Sequence, residues 1–211
     1  ELAAHASKAG AAAVAMIAPS FFRPESPAAL AACCKQVASA CPQTPFFYYD
    51  IPSFTHVRLS MAEFLPIAIR DIPNFAGLKY THDDLITLQT CLGQFGEKID
   101  ILSGVDELLL AALTLGVRGA VGSSYNFAAP IYHRVRKALE AGDLPTARRE
   151  QLCAINLVKT LAKRGYTASC KALMTRRGID VGPPRLPQMP LEPDQLKSLY
   201  EELEVMARPQ A

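Results

Sequence analysis

Short apolar runs alternate with longer helical patterns over the first 126 residues, and after that the alternation stops. Residues 11–17, 46–50, 75–81, 99–103 and 120–126 are compact apolar or aromatic runs bounded by Pro, Gly or Ser, which is the pattern of strands. Helical patterns lie between them. Ser26-Pro27, a capping residue followed by Pro at the first helical position, opens an Ala-rich helix to about residue 40. Ser60 caps residues 61–70, and Asp71-Ile72-Pro73 closes them. A further helix is expected over about 83–95, and a Leu/Ala helix after Gly104-Val105-Asp106-Glu107. Beyond residue 126 only helices are expected, over about 130–141, 144–164 and 166–177. Gly182-Pro183-Pro184-Arg185-Leu186-Pro187 reads as a rigid extended link, before a last amphipathic helix over about 194–206.

Five strand-then-helix units in succession call for a parallel sheet with right-handed crossovers. An open doubly wound sheet and a closed barrel both satisfy that. No GxGxxG or Walker-type loop follows any strand, which removes the usual dinucleotide and P-loop readings. Polar side chains instead gather at strand C-terminal ends: Tyr49, Lys79 with Thr81, Ser103 with Asp106, and Ser123. Barrel enzymes build their sites in this way.

Lys79 is the most telling of these. It ends the run Phe75-Ala76-Gly77-Leu78-Lys79-Tyr80-Thr81, expected to be a strand buried on both faces, where an ammonium is costly and an amine nucleophile becomes accessible. Taken alone, such a lysine more often caps its strand and extends into solvent. Asp106 and Glu107 likewise have an ordinary reading as first-turn acids favoured by the helix dipole. Gly122-Ser123 could bring backbone N–H groups to a ligand or be a plain turn.

Composition narrows the setting. The chain has 211 residues, half in the hydrophobic class, and a formal net charge of +2, so no nucleic-acid or strongly charged partner is implied. No run approaches a membrane span and the first residues lack a signal-peptide pattern, so a cytoplasmic, soluble protein is expected. The six cysteines form no CxxC pair and read as reduced thiols. Four scattered histidines offer no metal-ligand spacing. The opening ELAAHASKAG is helix-like from its first residue, without Met and without a cap, which reads as the interior of a longer protein.

Five motifs occur together in register: Tyr48-Tyr49-Asp50-Ile51-Pro52, Gly77-Leu78-Lys79-Tyr80-Thr81, Gly104-Val105-Asp106-Glu107, Gly122-Ser123-Ser124-Tyr125-Asn126 and the Gly182–Pro187 segment. In order and spacing they resemble the N-acetylneuraminate lyases, class I pyruvate aldolases of the dihydrodipicolinate synthase superfamily. The resemblance spans essentially the whole chain. It implies an α/β fold, a (β/α)8 TIM-type barrel lacking its first three βα units, with a C-terminal helical extension. Residues 1–126 would be the barrel portion, and 127–211 the last barrel helix and extension of the same domain.

The resemblance further implies that Lys79 forms a Schiff base with the substrate ketone and that Tyr49 relays the proton at the C4 hydroxyl. Thr81, Gly104, Asp106, Glu107 and Ser123 would hold the sugar's hydroxyl groups. The small-molecule substrate would be a sialic acid, cleaved to pyruvate and N-acetylmannosamine with no cofactor and no metal, in a homotetramer. Dihydrodipicolinate synthase is the nearest rival, but Ser53-Phe54-Thr55 stands where that enzyme's pattern has an arginine for its second substrate. A non-catalytic truncated variant is the alternative from another class, since the family's pyruvate-carboxylate loop would lie in the part this chain lacks. Two departures stand out: His56, where a glycine often follows the threonine, and His82-Asp83 after the lysine segment.

Overall fold

A computed structural model describes residues 1–207, and these divide into two compact units. The first comprises residues 1–105 and 111–121, the second residues 106–110 and, as far as they are described, 122–207.

In the first unit, α1 (Leu2–Lys8) is followed by β1 (Val14–Ile17), α2 (Pro27–Ala38), β2 (Phe46–Asp50), a single helical turn α3 (Pro52–Thr55), α4 (Met61–Asp71), β3 (Phe75–Tyr80), α5 (Leu85–Phe95) and β4 (Asp100–Ser103). The strands pair in sequence order, all parallel. Parallel pairing requires a crossover between strands, and each one here is helical, the usual form. The caps are those expected: Ser26 Oγ accepts from Ala29 N at 3.1 Å and Ser60 Oγ from Glu63 N at 3.3 Å. α5 begins later than expected because Asp84, not an earlier residue, takes the cap, accepting from Ile86 N and Thr87 N at 3.0 Å each.

The expected fifth strand does not form. Ser103 N donates to Gly119 O at 3.0 Å and Val121 N to Ser103 O at 2.9 Å, giving one parallel bridge, Ser103 to Ala120. The turn at Ser123-Ser124 and the start of α7 at Tyr125 then end the run before a ladder can grow. The sheet therefore has four strands among the described residues.

Strand period two separates the faces. Phe46, Tyr48, Leu78 and Tyr80 point into the helical layer, where they are buried with Leu30, Phe64 and Leu65. Phe64 is the centre of this layer, with ring centroids 4.9 Å from Tyr48 and 6.1 Å from Phe75. The opposite face carries Phe47, Tyr49 and Lys79, all half-buried. Lys79's strand is thus fully covered on one face only, not on both. Gly77 sits beneath the Phe47 ring: a Cβ there would lie 2.4 Å from Phe47 Cε1 and 2.3 Å from Asp100 O.

Helix α6 (Leu109–Thr114) is shared, its first two residues belonging to the second unit and the rest to the first. In the second unit, a 3-10 turn at Asp106–Leu108 accompanies α7 (Tyr125–Glu140), α8 (Leu144–Ala162), α9 (Tyr166–Arg176) and α10 (Pro193–Ala207). α7 starts five residues ahead of Pro130, where the sequence pattern begins it. The helical ladder has begun before the proline, with Ala128 N donating to Ser124 O at 2.8 Å, so Pro130 lies inside the helix and lacks the N–H that would continue that ladder. Asp143 caps α8 through Thr146 N at 3.0 Å. No helix among the described residues is long and apolar enough to cross a membrane, and the six cysteines are free thiols.

Candidate active site

In the first unit, the C-terminal ends of β2, β3 and β4 form a continuous rim. The parallel register places Tyr49 opposite Lys79 and Lys79 opposite Leu102. The ladder continues past the strands, with Thr81 N donating to Asp50 O at 2.9 Å and Gly104 N to Tyr80 O at 2.8 Å. Side chains on this rim are consequently held by fixed backbone rather than by a free loop.

Lys79 Nζ lies 3.7 Å from the centroid of the Tyr49 ring. A cation over a phenol face gains about 0.5–2 kcal/mol, enough to hold the amine over the ring. Thr81 Oγ1 is buried beside it and has no hydrogen-bond partner among the described residues. An unmet buried hydroxyl costs about 1–3 kcal/mol, so this atom is suited to a polar group of a ligand. Gly104 explains how the three fit. A Cβ at this position would stand 1.8 Å from Thr81 Oγ1 and 3.0 Å from Lys79 Cε, so only glycine leaves both side chains in place.

Asp50, next in sequence to Tyr49, turns to the other face and is buried. Burial pushes its carboxyl up to about 7. Its influence is felt by Tyr48, Tyr80 and Cys91, each raised mainly by burial and further by the Asp50 charge; Cys91 reaches about 11. Sequence reasoning passed over Asp50. The available signal was an acidic residue in step with Phe46 and Tyr48, on the face those two bury.

The second unit holds the acidic pair and the Gly-Ser turn. Asp106 is buried, and its Oδ2 accepts from Ser124 N at 3.1 Å and from the Ser124 hydroxyl. Glu107 is half-buried next to it. Burial first, then the Asp106 charge, raises the Tyr125 phenol far above its ordinary range, with Tyr132, Glu107 and Tyr166 adding to it. Ser123 is exposed, and its Oγ donates to the Tyr166 hydroxyl at 3.0 Å. The site residues expected from sequence thus fall into two groups: Tyr49, Lys79, Thr81 and Gly104 in one unit, Asp106, Glu107 and Ser123 in the other. Ser124, Tyr132 and Tyr166 were not foreseen. Only Gly122, too tight for any side chain, hinted that the turn holds something close.

Residues 1–206 match the dihydrodipicolinate synthetase family. The chain is 41% identical over 190 residues to N-acetylneuraminate lyase of Gallus gallus, covering 89% of this chain and 62% of that protein. It is 42% identical over 190 residues to the Rattus norvegicus lyase, covering 89% and 59%. Among solved structures it resembles Proteus mirabilis N-acetylneuraminate lyase with a TM-score of 0.93 at 34% identity, over 98% of this chain and 70% of that one. Aliivibrio salmonicida N-acetylneuraminate lyase gives 0.93 at 36% identity, over 99% and 69%. The chain therefore spans 59–62% of the length of these curated relatives. With parallel strands, helical crossovers and five motifs in register, the chain belongs to the dihydrodipicolinate synthetase family.

Proposed function

We propose that this chain carries the catalytic lysine and the sugar-binding residues of an N-acetylneuraminate lyase. The observation that carries the reading is the pairing of Lys79 with the Tyr49 ring on adjacent parallel strand ends, with the unmet Thr81 hydroxyl beside them. Curated relatives of that activity support it.

In the proposed reaction the Lys79 amine attacks the C2 ketone of open-chain N-acetylneuraminate and water leaves, forming a protonated imine. The C4 hydroxyl gives up its proton through the Tyr49 phenol as the C3–C4 bond breaks. The bonding pair passes into the imine, which becomes an enamine, and N-acetylmannosamine departs. Protonation at C3 and hydrolysis then release pyruvate and restore the amine. The imine is its own electron sink, so no cofactor and no metal is needed. Thr81, Gly104, Asp106, Glu107 and Ser123 accept or donate hydrogen bonds to the sugar's hydroxyl groups. The working form is proposed to be a cytoplasmic homotetramer.

One observation favours a second reading, a non-catalytic relative: among the described residues β1 pairs only with β2, and Ile17 on it is 49% exposed, an edge that calls for cover. Borohydride trapping with pyruvate, read by mass spectrometry on this chain and its Lys79→Ala variant, separates the two. An adduct on Lys79 that the variant lacks is the expected result. Absence of an adduct in a folded chain would leave the non-catalytic reading.

A further inference from the structure

Ser124 is fully buried, although it belongs to a Gly-Ser turn. Its hydroxyl has one proton to donate, and that proton goes to Asp106 Oδ2, which also accepts from Ser124 N. The Tyr132 hydroxyl lies 2.5 Å from Ser124 Oγ. With the serine proton committed to the carboxylate, the phenol must be the donor of that second bond. A one-directional relay results, from Tyr132 on α7 through Ser124 to Asp106.

The rest of the second unit is built around this relay. A Cβ on Gly122 would stand 1.6 Å from Asp106 Oδ1, so the turn carrying Ser123 and Ser124 presses directly on the carboxylate. Gln151 on α8 grips the same segment from its backbone: Nε2 donates to Asp106 O at 3.2 Å, and Oε1 accepts from Leu110 N at 2.8 Å. Tyr132 is itself fixed, its ring edge-on to Tyr125 with centroids 4.2 Å apart.

We infer that Ser124 and Tyr132 are positioning residues that aim Asp106, and with it the adjoining Ser123, at the polyhydroxylated part of the substrate; this rests on the sugar-side roles proposed above. Neither needs to touch the ligand. Their removal should be felt in sugar affinity and not at the lysine, because Lys79 and Tyr49 are held by the separate β2–β3 ladder.

The test pairs two readouts on the intact chain: N-acetylmannosamine affinity by calorimetry, and borohydride trapping of pyruvate. Ser124→Ala should weaken the sugar about tenfold, the loss of one hydrogen bond to a charged acceptor, with pyruvate trapping unchanged. Tyr132→Phe keeps the ring and should weaken it by a smaller factor. Tyr132→Phe added to Ser124→Ala should change nothing further, since the relay is already cut, and Ser124→Thr should recover most of the affinity. Sugar affinity unchanged in both single variants would overturn the inference while leaving the lyase reading intact. A joint fall of sugar affinity and trapping in folded Tyr132→Phe would overturn it too. A parent chain that binds the sugar but traps no pyruvate would defeat the lyase reading alone, and the relay would still be judged by affinity. A parent chain that binds no sugar overturns the inference.

Discussion

The Lys79 amine stands 3.7 Å from the centre of the Tyr49 ring, across a register that pairs the two residues directly. In the proposed reaction, ring and hydroxyl of Tyr49 have separable tasks: the ring holds the amine, and the hydroxyl moves a proton. Tyr49→Phe should keep pyruvate trapping on Lys79 and lower sialic-acid cleavage by about 10²–10⁴-fold, the usual worth of an acid/base group. Equal loss of both would assign the hydroxyl to imine formation. Mass spectrometry and a pyruvate-release assay read the two separately.

Gly104 tests how tightly the rim is packed. Its substitution by Ala puts a methyl 1.8 Å from Thr81 Oγ1, so Thr81 must rotate or the β4 tip must shift. Overpacking of this kind costs about 1–3 kcal/mol, visible as a lower urea midpoint. Imine trapping should fall as well, because Lys79 Cε is the next atom met. Wild-type trapping by Gly104→Ala would remove the glycine from the site.

Asp50 makes stability depend on pH. Its carboxyl titrates near 7 in the fold and near 3.9 when unfolded. Below about pH 4 both states are protonated and the fold has its full stability from this group. As pH rises from about 4 to about 7 the unfolded chain loses the proton first, and stability declines, by up to about 4 kcal/mol. Asp50→Asn, which cannot ionise, should flatten that part of the profile and be the more stable protein at pH 8. Denaturant titrations across pH 4–8 give the answer, and parallel curves for the two proteins would refute it.

His56 adopts φ 56, the one left-handed non-glycine residue among those described. It ends the turn α3, where glycine meets no Cβ penalty. His56→Gly should stabilise the fold by about 1 kcal/mol, seen as a raised thermal midpoint. A lowered midpoint would mean that the imidazole makes a contact worth more than the strain.

Phe64 should be the costliest side chain of the helical layer. It is fully buried between Tyr48 and Phe75, and Phe64→Ala should cost about 3–5 kcal/mol in denaturant unfolding. A cost under about 1 kcal/mol would show that the layer collapses onto the cavity.

Local features were legible in the chain itself. The strands that became β1 to β4, the caps at Ser26 and Ser60 and the helical run after residue 126 follow from side-chain period, proline and capping chemistry, all of which act over a few residues. Lys79, Tyr49 and Thr81 were visible as strand-end residues and Gly104 through the family resemblance, and the fold does bring these four together. Tertiary structure decided the rest. Whether residues 120–126 form a strand depends on a partner ladder, and the turn at Ser123-Ser124 ends the run after one bridge. Which of Tyr48 and Tyr49 meets the lysine depends on which sheet face the helices cover, and the same choice buries Asp50 and raises its carboxyl. The relay from Tyr132 to Asp106 joins residues 26 positions apart in sequence through a serine between them. No local pattern encodes such a contact, because packing brings the partners together and the low dielectric of the buried site is what strengthens bonds of this kind over their water-exposed equivalents.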